Sequence, residues 1–190
     1  MNQHRGKLWL STPKLLKAES ALYFPNLQGY TLANASGVVD TTNVLGGKIS
    51  IVSVFSGLWA EEQTRSFVGG VSELDWGRVQ RVWINIEDDW MRAGLLRLFL
   101  GRLRRGLGEE EWGRYFVVRR GVEHGVRQDV GMVNGKIGYV YLVDERCRIR
   151  WAGSGDAGPG EKEGLVSCAR RLVEVEKGMK EIVSVKGLKG

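Results

Sequence analysis

The fold is decided by residues 47–63, which read Gly-Lys-Ile-Ser-Ile-Val-Ser-Val-Phe-Ser-Gly-Leu-Trp-Ala-Glu-Glu-Gln. The run from Ile49 to Phe55 alternates and is rich in β-branched residues, which predicts a strand buried on at least one face. Ser56-Gly57 interrupts this run, and a helical pattern with acidic residues in its first turn begins at Ala60. The centre of the fold is therefore predicted to be a strand, a short turn and the amino end of a helix. In α/β proteins such a junction commonly holds an anion, a thiolate or a substrate.

The patterns further along the chain predict a second strand, a long helix, a short edge strand, a hairpin and a final helix. In that order, these elements span residues 79–86, 90–107, 115–118, 138–144 with 147–153, and 161–179. A strand, a helix and a strand over this length form a βαβ unit, which implies parallel pairing and a right-handed crossover. The whole order predicts an α/β fold of the thioredoxin-like type, a mixed central β-sheet with helices on both faces.

A chain of 190 residues fits one domain with a sizeable core. We expect an N-terminal extension over residues 1–20, the domain over 21–178 and a basic C-terminal tail over 179–190. Residues 7–10 are a possible docking segment within the extension, although a poorly ordered terminus is the expectation for such a stretch. No apolar run approaches the ~20 residues that span a bilayer, which argues against an integral membrane protein.

The net charge of +6 and the pI near 9.5 favour anionic partners, which are nucleic acid, acidic lipid or an acidic protein surface. A basic pI is also common among mitochondrial matrix proteins. Two cysteines make neither a disulfide framework nor a zinc site, and His4 and His124 stand alone, so no metal site is predicted. Neither a phosphate-binding loop motif nor an aromatic RNA-binding signature is present, so no cofactor and no nucleic-acid partner are predicted.

The strand–turn–helix junction resembles the active-site corner of thioredoxin-like thiol reductases and peroxiredoxins. In those proteins an aromatic turn leads into Cys-x-x-Cys or into a single reactive cysteine. With Trp59 as the tryptophan before the first cysteine, the two cysteine positions fall on Ala60 and Gln63. Neither residue can form a thiolate, and residues 134–138, which lead into the hairpin, lack the proline that faces such a corner. The corner is therefore predicted to be redox-inactive.

Several blocks of sequence extend the resemblance beyond a generic thioredoxin fold. They are residues 24–27, 49–56 with 59–61 and 63, 131–134, and 137–144 with 149–153. Together they resemble the mitochondrial ATPase complex assembly factor family, over roughly residues 20–178. The resemblance implies a non-enzymatic chaperone, peripheral to the matrix side of the inner membrane, that binds newly made subunit 6 of the ATP synthase membrane sector. It further implies protection of subunit 6 from degradation and help in joining the subunit 9 ring, with no catalytic residues.

Two features are candidate contact surfaces, and each has a plainer interpretation. The corner beside Trp59 is either a ligand groove at a helix N-terminus or a vestigial corner in which Trp59 only packs. The helix over residues 90–107 mixes arginines with apolar residues, so it either lies on an anionic membrane or covers the sheet with a solvated basic face. The candidate partner-binding residues are Trp59, Ala60, Gln63, Arg97, Phe99, Leu100 and Arg104.

Two other classes of function remain open from sequence. A thiol-dependent peroxidase or reductase would use Cys147 on the last strand or Cys168 on the last helix. These cysteines could pair across the packed elements, but two small buried thiols are the expectation in a reducing matrix. A basic RNA-binding matrix protein is the other class, and its affinity would fall steeply with salt.

Overall fold

A computed structural model describes residues 7–69, 74, 77–87, 104, 106–119, 128 and 130–187. Within these residues, seven strands form one mixed sheet in the order β2-β1-β5-β4-β3-β6-β7. The strands are β1 Gln28–Thr31, β2 Val39–Asp40, β3 Ile49–Phe55, β4 Val79–Glu87, β5 Tyr115–Arg119, β6 Tyr139–Val143 and β7 Ile149–Ser154. The helices are α1 Thr41–Leu45, α2 Gly57–Val68, a 3₁₀ helix Glu109–Arg114, and α3 Glu161–Gly187.

Strand β3 lies inside the sheet and has the predicted bounds. It pairs in parallel with β4 and antiparallel with β6, and all seven of its residues are buried because apolar clusters cover both faces of the sheet. The parallel pairing of β3 with β4 across α2 confirms the predicted βαβ unit. The predicted hairpin is also present as the antiparallel pair β6 and β7, with a register shift at Leu142/Val143.

The two faces of the sheet bury different sets of side chains, as the two-residue period of a strand requires. Ile49 and Ile51 face α2 and α3, where they join Phe67, Trp151 and other apolar residues of those helices and of β6 and β7. Val52 and Val54 face the opposite way, into a cluster built from α1 and the loop segments on that side. That cluster includes Phe24, Leu27, Leu45, Met132, Ile137, Tyr139 and Tyr141.

The prediction that residues 115–118 form an edge strand is wrong. Strand β5 lies inside the sheet, where it pairs in parallel with β4 and antiparallel with β1. The β1 contact joins Tyr30 to Val117 and Thr31 to Phe116. A strand that is short in sequence is thus interior because a distant segment covers its outer side, and the short strand β2 forms the edge beyond β1.

The first described residues, which fall in the predicted N-terminal extension, lie against the domain. The Trp151 indole N–H donates to the carbonyl of Thr12 at 2.8 Å. Leu16 and Arg150 form a reciprocal pair, since the Leu16 N–H donates to the Arg150 carbonyl and the Arg150 Nε donates to the Leu16 carbonyl, both at 2.8 Å. Trp9 contributes to the core and its ring centroid lies 5.8 Å from that of Tyr139.

The predictions for the two longest helices have different outcomes. Helix α3 begins at Glu161 as predicted but continues to Gly187, past the predicted domain end at 178. The helix predicted over residues 90–107 lies outside the described residues, apart from Arg104, Gly106 and Leu107. Among the described residues, no helix combines the length and apolar character needed to cross a bilayer.

Candidate functional site

The strand–turn–helix junction is formed by a sharp turn at Ser56-Gly57. Gly57 has φ +78°, a conformation that L side chains rarely adopt, so glycine is what allows the chain to leave β3 and enter α2 at once. The helix therefore begins at Gly57, three residues earlier than predicted. Leu58 and Trp59 consequently belong to the first turn of α2.

The two positions that correspond to the cysteines of thioredoxin-like proteins are buried. Ala60 and Gln63 are each 1% exposed, and the Gln63 Oε1 accepts a hydrogen bond from the backbone N–H of Gly138 at 2.9 Å. Gly138 sits so close to α2 that a Cβ at this position would lie 2.3 Å from the Ala60 carbonyl oxygen. The start of β6 is thus fastened directly onto the helix. We call Ala60, Gln63 and Gly138 the closed corner.

Ala60 and Gln63 are buried within the closed corner, and three large apolar side chains are exposed near it. Leu58 is 84% exposed and Trp59 is 49% exposed. Val133, which is 60% exposed, lies at the same end of the sheet, because its neighbour Met132 lines the same small cavity as Ser56. We call Leu58, Trp59 and Val133 the apolar corner.

The remaining candidate contact residues belong to the predicted long helix. Arg97, Phe99 and Leu100 lie outside the described residues. Arg104 is described, and its guanidinium Nε donates to the Leu32 carbonyl at 3.1 Å while the group lies 5.1 Å from the centroid of the Trp112 ring. These contacts give Arg104 a structural role in joining its segment to the loop after β1.

The two cysteines lie in surroundings that disfavour the thiolate. Cys147 is in the turn before β7 rather than on the strand, with φ +61°, and it contacts the sheet face opposite to that of Cys168. Both thiols are free. Burial raises the pKa of the Cys147 thiol, and the Asp144 carboxylate raises it further. Burial also raises the pKa of Cys168, against a smaller opposing effect of Arg171. A reactive thiol needs the reverse shift, so neither cysteine resembles a nucleophile.

Leu58, Val133 and Gly138 were not singled out from sequence. The exposure of Leu58 was missed because the helix was predicted to begin at Ala60, two residues after Leu58. Gly138 lies 75 residues from Gln63 in the chain, and no local pattern signals a contact over that separation. Among the described residues, no group of three or more histidine, cysteine, aspartate or glutamate side chains is arranged to hold a metal ion.

Comparison with known proteins gives consistent matches. Residues 1–172 match the family described as ATP10 protein. The chain is 36% identical over 171 residues to the mitochondrial ATPase complex subunit ATP10 of Eremothecium gossypii, covering 87% of this chain and 62% of that protein. It is 30% identical over 185 residues to the protein of the same name from Saccharomyces cerevisiae, covering 88% of this chain and 66% of that protein. The chain thus spans less than two thirds of the length of these relatives.

Solved structures with the same fold are far more distant in sequence. A secreted thiol-disulfide isomerase from Corynebacterium glutamicum superposes with a TM-score of 0.55 at 10% identity, covering 88% of this chain and 93% of that one. A putative thiol:disulfide interchange protein DsbE from Chlorobium tepidum gives a TM-score of 0.53 at 14% identity, covering 80% and 96%. These likenesses confirm the predicted thioredoxin-like fold and carry no information on activity.

Proposed function

The chain belongs to the ATP10 protein family, and from this premise we propose that it is an assembly factor of the mitochondrial ATPase complex that works by binding rather than by catalysis. The observation that carries the proposal is the closed corner. A thioredoxin-like fold does redox chemistry with thiolates at this junction, whereas here the two positions hold buried Ala60 and Gln63. Gln63 instead holds Gly138 in place.

The client in this proposal is newly made subunit 6 of the ATP synthase membrane sector, which the chain would protect and deliver to the subunit 9 ring. A membrane subunit presents apolar helices before assembly, and exposed apolar residues grouped on a soluble domain are suited to cover them. Leu58, Trp59 and Val133 supply such residues on one end of the sheet. The family relatives are named as mitochondrial ATPase complex subunits, which supports this choice of client complex.

The proposed location is the matrix side of the mitochondrial inner membrane, with peripheral attachment. The net charge of +6 supports this placement, because anionic lipid attracts basic groups with about 1 kcal/mol for each residue near the surface. Charge of this kind attracts the whole domain, whereas the apolar corner would select the client. The two contributions can therefore be separated by their dependence on salt.

Affinity purification of the tagged chain from solubilised mitochondria tests the proposal, with subunit 6 measured in the eluate. The informative variant is Leu58→Ala with Trp59→Ala. The matched control is Leu22→Ala with Tyr23→Ala, a neighbouring leucine–aromatic pair that is 60% and 66% exposed. We expect recovery of subunit 6 with the wild-type chain and the control, and a loss of at least about tenfold with the Leu58 and Trp59 variant. Absence of subunit 6 from the wild-type eluate would refute the proposed client.

A further inference from the structure

An open pocket of about 460 Å³ lies at the opposite end of the sheet from the apolar corner. Its wall includes Ile49, the first residue of β3, and Arg78, which immediately precedes β4. The pocket is thus formed at the amino ends of the two central parallel strands, where the carboxyl-terminal half of α3 passes over them. We call it the basic pocket.

The side chains of the basic pocket carry an excess of positive charge. Five basic residues line it, Lys48, Arg78, Arg114, Lys177 and Lys180, against the two acidic residues Glu145 and Glu176. They come from four separate parts of the chain, so the fold rather than a local run of sequence gathers them. Lys180 donates to the Glu145 carboxylate at 2.6 Å, so these two residues form an ion pair at one side of the pocket. The lining as a whole therefore keeps an excess of basic over acidic residues.

Glu176 is the unusual member of the wall. It is only 8% exposed, and its Oε1 has no hydrogen-bond partner among the described residues. Burial and the nearby charges of Glu145 and Asp144 raise its pKa, while Arg148 and Arg146 act in the opposite direction. Buried polar atoms are nearly always hydrogen-bonded, which makes this carboxyl oxygen an exception. It has almost no accessible surface, so a ligand in the open pocket does not reach it.

We propose that the basic pocket binds a phosphate-bearing ligand. Lysine and arginine side chains bind the phosphate oxygens through charge-assisted hydrogen bonds. The headgroup of an anionic phospholipid and a soluble phosphate compound share this chemistry. The proposal does not depend on the identity of the protein client.

The test compares two double variants. One combines Lys48→Gln and Lys177→Gln, and the control combines Lys14→Gln and Lys136→Gln. All four side chains are exposed, and the control pair removes the same charge from positions outside the pocket. Binding to vesicles of phosphatidylglycerol in phosphatidylcholine is measured by flotation. Thermal unfolding in inorganic phosphate, against chloride at equal ionic strength, measures the soluble source, because a ligand that binds the folded state raises Tm.

Whichever ligand the wild-type chain binds, vesicles or phosphate, we expect the Lys48 and Lys177 variant to bind it with at least about tenfold lower affinity. The control pair should lose much less. Loss of vesicle binding alone assigns the pocket to a lipid headgroup, and loss of the phosphate-induced rise in Tm assigns it to a soluble phosphate compound. Equal losses in the two double variants, or binding in neither arm, would overturn the proposal.

Discussion

Replacement of Gln63 tests whether this residue, at the position of the second cysteine in thioredoxin-like reductases, has a structural role. The Gln63 Oε1 accepts from the buried Gly138 N–H at 2.9 Å, and an unsatisfied buried donor costs about 1–3 kcal/mol. Gln63→Met removes this acceptor with little change in volume, so we expect a loss of about 1–3 kcal/mol in the free energy of unfolding. Gln63→Ala also removes packed atoms, at about 0.8 kcal/mol for each methylene, so its loss should be larger, about 2–4 kcal/mol.

Equilibrium unfolding in urea, followed by tryptophan fluorescence and far-UV circular dichroism, measures these losses. The m-value should stay constant, because the surface exposed on unfolding is unchanged. Gln28→Ala is the matched control, since Gln28 is exposed and donates to Asp40 at 3.0 Å, and its loss should stay below about 0.5 kcal/mol. If Gln63→Met and Gln28→Ala had equal, small effects, the closed corner would not be the structural element described above.

Three further changes give separate expectations. Gly138→Ala places a Cβ 2.3 Å from the Ala60 carbonyl oxygen. The free energy of unfolding, measured in urea, should therefore fall by about 1–3 kcal/mol. Burial alone would raise the pKa of Glu161, but hydrogen bonds, chiefly from Lys7, hold it below its usual 4.5. The folded-state pKa is thus lowered, so the stability difference between wild type and Glu161→Gln should be full above about pH 4.5 and shrink as pH falls further. Arg104→Lys keeps the charge but loses the planar group over Trp112, so Tm should fall by a few degrees in calorimetry.

The strands that could be predicted are those whose pattern is local and strong. The bounds Ile49 and Phe55 were predicted correctly, because this run is rich in β-branched residues and lies between Gly46-Gly47 and Ser56-Gly57. The hairpin of β6 and β7 was equally clear, since alternation and a charged turn specify it locally. Strand β5 was misplaced at an edge because its pairing with β1 joins segments that are far apart in sequence.

Only two features of the candidate site could be predicted from sequence. They are its location and the absence of cysteine at positions 60 and 63. The positions of Ala60 and Gln63 follow from the spacing around Trp59, whereas their burial depends on the close approach of Gly138. The basic pocket could not be predicted from sequence either. Lys48, Arg114 and Lys177 are far apart in the chain, and only the folded sheet and α3 bring them together. Net charge indicated an anionic partner but not where it would bind.

We propose that this thioredoxin-like domain acts through its contact surface and not through thiols. The most direct test is the amount of assembled ATP synthase, measured on native gels, in mitochondria whose only copy of this protein is a variant. Cys147→Ser with Cys168→Ser should leave assembly at the wild-type level, since burial raises the pKa of both thiols. Leu58→Ala with Trp59→Ala should reduce assembly, while the control pair at Leu22 and Tyr23 should not. The opposite pattern, with assembly lost in the serine variant and kept in the Leu58 and Trp59 variant, would show that assembly depends on the thiols and not on the apolar corner.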